Sequence, residues 1–191
     1  MKYRARGGGC ATFAPEPGRN DGWREAHADS TIAVIEALRR TGALAHERKE
    51  LIDWITRGRS EGRLRGYWWG TPGYLLWILS QAGMLHPQDL MMTSTLMKSA
   101  CSVPELPMLL RVVGSAARFD VSVQAAAARL IRAQRADGSW ACAPCLRLTS
   151  PTCDVRGGGV LSGPLYWGAR RVFSTAHSVA ALSMMRERRV R

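Results

Sequence analysis

At 191 residues the chain suits one domain, or about one and a third at ~150 residues each. Its 46% hydrophobic content excludes a disordered or low-complexity chain and is enough to bury a core. Against 15 Asp plus Glu stand 27 Lys plus Arg, a net charge of +12, so an acidic, cation-collecting protein is excluded. Only Lys2, Lys49 and Lys98 are lysines, and arginine's planar fork suits phosphate and carboxylate partners. Nucleic acid, an anionic membrane surface and diphosphate-bearing substrates are therefore compatible partners. The plain alternative is arginine spread over solvated faces.

Met1-Lys2-Tyr3-Arg4 leads into glycines rather than an apolar run, so no signal peptide is expected, and no transmembrane helix either. The odd count of five cysteines (Cys10, Cys101, Cys142, Cys145, Cys153) points to free thiols and a reducing cytoplasm. In chain order, the apolar spacing predicts a helix over Thr31 to Leu44, with Asp29 or Ser30 as cap and Gly42 as stop. Leu51, Ile52, Trp54 and Ile55 predict a short second helix ended by Gly58. Gly73 to Leu85 is apolar nearly all round, hence buried on most sides. Leu90 to Ala100, rich in methionine, is the fourth. Glu105 to Ala117, with Pro107 in its first turn, is the fifth. Alanine-rich Val121 to Gln134 is the sixth, and Thr175 to Arg188, capped by Ser174, the last. Between them lie loops at 4–24, 58–72 and 138–172, and no alternating β pattern is present. The chain reads as all-α, a single domain over 1–191 with 1–6 and 188–191 expected to be flexible.

Two joints repeat. The stretch 54–64, WITRGRSEGRL, lies on 130–140, LIRAQRADGSW, without a gap. Gly58 falls on Gln134, Glu61 on Asp137, Gly62 on Gly138 and Leu64 on Trp140. The earlier copy keeps the acid–glycine turn and lacks the Gln and the Trp.

Gln134-x-x-Asp137-Gly138-Ser139-Trp140 resembles the QW motif of the squalene-hopene cyclase and prenyltransferase repeat family. GGGCATFAPEPGRNDGW, ADSTIAVIEALRRTG and RGYWWGTPGYLLWILSQAG resemble that family's glycine-rich loop, inner-helix start and following joint, so the likeness covers about residues 7 to 187. It implies an α/α toroid of inner and outer helices. In that picture Gln134 bonds backbone groups of the next joint while its amide stacks on Trp140. A complete family barrel has more helices than the seven countable here, which implies a partial ring closed by a second copy or a companion domain.

The resemblance also implies chemistry. Family cyclases protonate an alkene or epoxide from the middle acid of an Asp-x-Asp-Asp-Thr-Ala pattern, and aromatic faces then stabilise the carbocation. His27-Ala28-Asp29-Ser30-Thr31-Ile32 falls on that pattern with the middle acid kept. Asp29 is thus the candidate general acid and His27 its candidate partner; the competing reading makes Asp29 a helix cap and His27 a solvent-exposed loop residue. Trp68, Trp69, Tyr74, Trp77, Tyr166, Trp167 and Phe173 are the candidate isoprenoid-binding wall, or the bulky filling of a toroid core. The zinc branch of the family is not matched, since its Asp-x-Cys position falls on Thr71 and Gly73. Cys142, Cys145, Cys153 and His177 could form a different zinc site, but Pro144 inside the Cys142-x-x-Cys145 pair and the lack of a second close pair favour ordinary small buried cysteines. No cofactor or metal is implied.

The expectation is a class II terpene cyclase-like protein, cytoplasmic and in peripheral contact with membrane, with an isoprenoid ligand. A non-catalytic isoprenoid- or protein-binding toroid is the alternative. A nucleic-acid binder fits less well, because the arginines are scattered and no reader motif is present.

Overall fold

The structure, a computed structural model, describes residues 2–5, 7–14, 16, 22–99, 105–116, 120–142, 146–147, 165–166 and 171–189. Seven α-helices are found among them: α1 (Ala28–Thr41), α2 (Ala45–Ser60), α3 (Pro72–Gln81), α4 (Pro87–Lys98), α5 (Leu106–Ser115), α6 (Val121–Arg132) and α7 (Val172–Arg189). Their packing follows a rule. α1 lies on α3, α3 on α5 and α5 on α7, whereas α2 covers α1, α4 covers α5 and α6 covers both α4 and α5. The odd helices form an inner layer and the even ones an outer layer. This is the arc of an all-α toroid.

The inner layer is the more apolar, as its position demands. α5 is buried at every residue from Leu106 to Gly114 except Arg111. Gly114 lets α7 come close, since a Cβ there would lie within 3 Å of the Met184 sulfur. Two apolar clusters fill the space between layers. One gathers Ile32, Ile35, Leu51, Ile55 and Leu79 around α1, α2 and α3. The other gathers Leu109, Leu110, Val123, Leu130 and Trp140 around α5, α6 and α7.

Local chemistry sets the helix ends. Asp120 caps α6, accepting from the Ser122 and Val123 amides at 2.9 and 3.1 Å. Pro72 and Pro87 open α3 and α4 where an amide is dispensable. Gly42, at φ 66°, stops α1.

Four expectations need correction. α1 begins at Ala28 with His27 at its N-cap position, so neither Asp29 nor Ser30 is the cap. α2 extends from Ala45 through Gly58 to Ser60, because Leu51 and Ile55 anchor it while its polar face, rich in Glu and Arg, remains in water. Ser174 lies inside α7, fully buried, rather than capping it. A two-residue antiparallel ladder, β1 (Leu146–Arg147) with β2 (Leu165–Tyr166), interrupts the long loop, and Leu146 also bridges to Trp69.

Candidate functional site

The site is built at the N-terminal ends of the inner helices. Asp29, at the second residue of α1, is 5% exposed. Its Oδ2 accepts the Tyr67 and Trp68 amides at 3.0 and 2.9 Å, and its Oδ1 the Ser30 amide at 3.2 Å. The carboxylate therefore pins the segment that leads into α3. Burial raises its pKa, and the Trp68, Ser30 and Tyr67 amides oppose the rise by favouring the ionised form.

His27 is buried rather than exposed, and neither of its ring nitrogens bonds to Asp29. Its ring stacks on Tyr67 with centroids 3.8 Å apart, and neither ring nitrogen reaches a hydrogen-bond partner of good geometry. Burial lowers its pKa to about 4, opposed weakly by the Gly22 backbone. The imidazole is thus neutral at physiological pH.

Of the expected aromatic wall, Trp69, Tyr74, Trp77 and Phe173 come together. Trp69 stacks between Tyr74 (4.1 Å) and Phe173 (4.8 Å), and Tyr74 meets Trp77 edge-on at 5.5 Å. Burial, with the Asp29 charge second, raises the Tyr74 phenol, which places the carboxylate within electrostatic reach of this wall. Trp68 turns away to give its indole N–H to Thr12 Oγ1 at 2.9 Å and meets Tyr67 edge-on. Tyr166 contributes backbone to β2; its side chain, and the whole of Trp167, lie outside the described residues.

His177 joins the wall from α7, 4.9 Å from Trp77 and 4.3 Å from Phe173, and its Nδ1 is 3.3 Å from Arg111 Nη1. It packs as a member of the aromatic wall. No group of three metal-binding side chains occurs among the described residues, and Cys145 and Cys153 fall outside them.

Two residues were not singled out by sequence. Glu105, 7% exposed at the start of α5, accepts the Gly73 amide on α3 at 2.9 Å. A Cβ on Gly73 would lie 2.6 Å from Glu105 Cγ, so glycine is what lets the carboxylate in. Burial raises the Glu105 pKa against the pull of Gly73 and Thr71. The start of α3 is therefore held by two buried carboxylates, Asp29 from α1 and Glu105 from α5. The second is Arg111, the lone charge in an otherwise apolar helix, and that isolation was the available signal.

The repeated joints are real structures. Gly62 and Gly138 are both left-handed, at φ 67° and 79°, and their amides donate to the matching carbonyls of Arg59 and Arg135 at 3.0 and 2.9 Å. In the second joint the Gln134 amide donates to Gly138 O at 2.9 Å, within its own turn and not to the next joint as expected. The tie to α7 is made by other groups. Asp137 pairs at 3.0 Å with Arg171, just before α7, and the Trp140 amide donates to Thr175 Oγ1 at 3.2 Å, while the buried indole N–H turns back to Leu130 O on α6 at 2.7 Å.

At the first joint, where Leu64 replaces that indole, there is a cavity of about 480 Å3. Leu64, Arg59, Leu75, Leu79, Trp69 and Met92 are among its lining residues. Among the described members of the expected aromatic wall, Trp69 touches it. The cavity flanks the outer layer, whereas the wall fills its own space by stacking.

No family model and no curated protein matches the sequence. Solved structures do match its fold. A protein from Actinoplanes superimposes with a TM-score of 0.75 at 19% identity, over 96% of this chain and 66% of its own. The type II terpene cyclase MstE from Scytonema, as an R337A variant in complex with geranylgeranyl dihydroxybenzoate, gives 0.72 at 23% identity over 95% and 64%. The same cyclase without ligand gives 0.67 at 24% identity over 94% and 62%. The chain thus spans about two thirds of the length of these structures, and what it shares with a type II terpene cyclase is the fold of that part.

Proposed function

We propose that this chain is a terpene cyclase-like protein that folds a linear isoprenoid against the aromatic face of its inner helices. In this reading Asp29 initiates ring closure. Its protonated carboxyl transfers H+ from Oδ1, the oxygen less engaged by backbone amides, to a terminal alkene carbon. The resulting tertiary cation is attacked by the next double bond, and a final proton loss to water restores neutrality. Trp69, Tyr74, Trp77 and Phe173 present π faces to the passing cation, an interaction that strengthens where water is excluded. The observation that carries the reading is a carboxyl buried at the start of an inner helix, with its pKa raised by desolvation, within electrostatic reach of Tyr74. The isoprenoid bound by MstE, whose fold the chain shares, supports the ligand class.

A second reading is supported by a specific observation: three backbone amides already occupy Asp29, and His27 and Ser30 stand where the family pattern has further acids. In that reading the module binds an isoprenoid and returns it unchanged, whether alone, paired or beside a companion domain. No helix among the described residues is long and apolar enough to cross a membrane.

Incubation with linear polyprenes, followed by mass spectrometry of the extracted lipids, separates the two. The cyclase reading expects a cyclised isomer from the native protein and none from Asp29→Asn, whose amide oxygen still accepts the Tyr67 and Trp68 amides and keeps the fold. Bound but unaltered polyprene with the native protein establishes the second reading. Equal product from both proteins removes the acid role from Asp29.

A further inference from the structure

Among the described residues Arg111 is a cation without an anion. It lies on α5, whose other residues from Leu106 to Gly114 are buried, and its guanidinium sits 4.6 Å over the Trp77 ring. Its Nη1 is 3.3 Å from His177 Nδ1, and no carboxylate pairs with it among the described residues. Burial lowers its pKa, the mark of a charge partly removed from water with no counter-charge to compensate. Cations in such places ordinarily have an acidic partner, because desolvation is costly.

The neighbouring imidazole is set up to help rather than oppose. Arginine can only donate, so Nδ1 of His177 accepts and the ring proton resides on Nε2. Burial first, and Arg111 second, hold the His177 pKa to about 4, so the ring carries no competing charge. Arg111 is only partly buried while its helix neighbours from Leu106 to Gly114 are sealed, so its fork reaches the surface of the described residues. The Arg111 fork thus stands at the end of an aromatic wall, held by Trp77 beneath it and His177 Nδ1 beside it.

We infer that Arg111, positioned by Trp77 and His177, forms a subsite for a carboxylate carried at the polar end of the isoprenoid, an inference that rests on the isoprenoid reading above. The charge count selects this head group. One guanidinium balances a single negative charge spread over two oxygens, the geometry its fork matches. A diphosphate would bring more charge than the subsite neutralises, and an alcohol or hydrocarbon would leave the guanidinium unpaired. Trp77 serves both parts of the ligand: one contact with the cation, the others with the rings that meet the prenyl chain.

The test is a titration of the full chain by tryptophan fluorescence, with geranylgeranoic acid, geranylgeraniol and geranylgeranyl diphosphate as probes and benzoate as a chain-free carboxylate. The acid is expected to bind about tenfold more tightly than the alcohol, the advantage of a charge-assisted pair. Arg111→Met should abolish that preference while leaving alcohol binding intact, and Arg111→Lys should retain part of it. Circular dichroism melting of each variant verifies folding, and a variant that fails to fold is replaced by Arg111→Gln. Equal affinity for acid and alcohol, tighter binding of the diphosphate, or a preference that survives Arg111→Met overturns the subsite while the isoprenoid reading stands. Binding of benzoate that depends on Arg111, with no binding of any prenyl probe, supports the subsite and overturns the isoprenoid reading instead. Binding of none of the four overturns both.

Discussion

Buried titratable side chains with few partners shape this molecule at the residue scale, and they make its stability depend on pH in opposite senses. His27 ionises at about 4 in the folded chain and near 6.5 when unfolded, so the folded state holds fewer protons between those values. Its contribution is fully present above pH 6.5 and is lost as the pH falls toward 4, on the order of 3 kcal/mol for a shift of this size. Asp29 acts the other way. Its folded pKa is raised, so it favours the folded state most at low pH and less as the pH rises above the ordinary carboxyl value of 3.8. The acid limb of a urea-midpoint profile should therefore be governed by the histidines. His27→Gln is expected to flatten the profile between pH 6.5 and 4; a variant whose midpoint falls over that range as steeply as the native protein's would remove His27 as the cause.

At the scale of elements, the two joints share a turn and differ in what fills it. Trp140 is 3% exposed and plugs the space between α6 and α7, its indole N–H bonded to Leu130 O. Leu64 occupies the matching place between α2 and α3, and a cavity of about 480 Å3 opens beside it. That space is a half-open cleft with Leu64 on its wall, and an indole at this position is long enough to reach into it. Leu64→Trp is expected to stabilise the chain by about 1 kcal/mol, the usual return of filling a cavity, read as a higher urea midpoint at unchanged slope. A lowered midpoint would mean that the space is too shallow or too polar, with Arg59 and Asp89 on its wall, for an indole to enter.

Across the whole molecule, the helices were legible because they rest on local patterning, whereas their arrangement in two layers was implied only by the resemblance of the Gln134–Trp140 stretch to the QW motif. Alanine-rich α6 and apolar α3 and α5 declare themselves through spacing, and the acid–glycine turn shows itself twice at one offset. α2 was underestimated because its first turns carry His46, Glu47, Arg48 and Lys49, so a narrow apolar stripe has to hold sixteen residues. The roles of Asp29 and Glu105 were not legible, since their partners lie 38 and 32 residues away and are backbone amides, which leave no trace in side-chain identity. The joint's Gln, Asp and Trp were recognisable as residues, but which of them reaches across to α7 depends on Arg171 and Thr175, set beyond a long intervening loop.

The mutual stacking of Trp69, Tyr74 and Phe173 carries a kinetic consequence for the whole arc. With rings 4.1 and 4.8 Å apart, no prenyl chain can slip between them, so a guest has to wait for the sandwich to part. Uptake would then be limited by an opening step within the protein instead of by encounter. Stopped-flow traces should show an observed rate that levels off with rising ligand concentration, and Phe173→Ala should lift the plateau. A rate that climbs linearly throughout would mean that guests settle on the outer surface of the sandwich and never enter it.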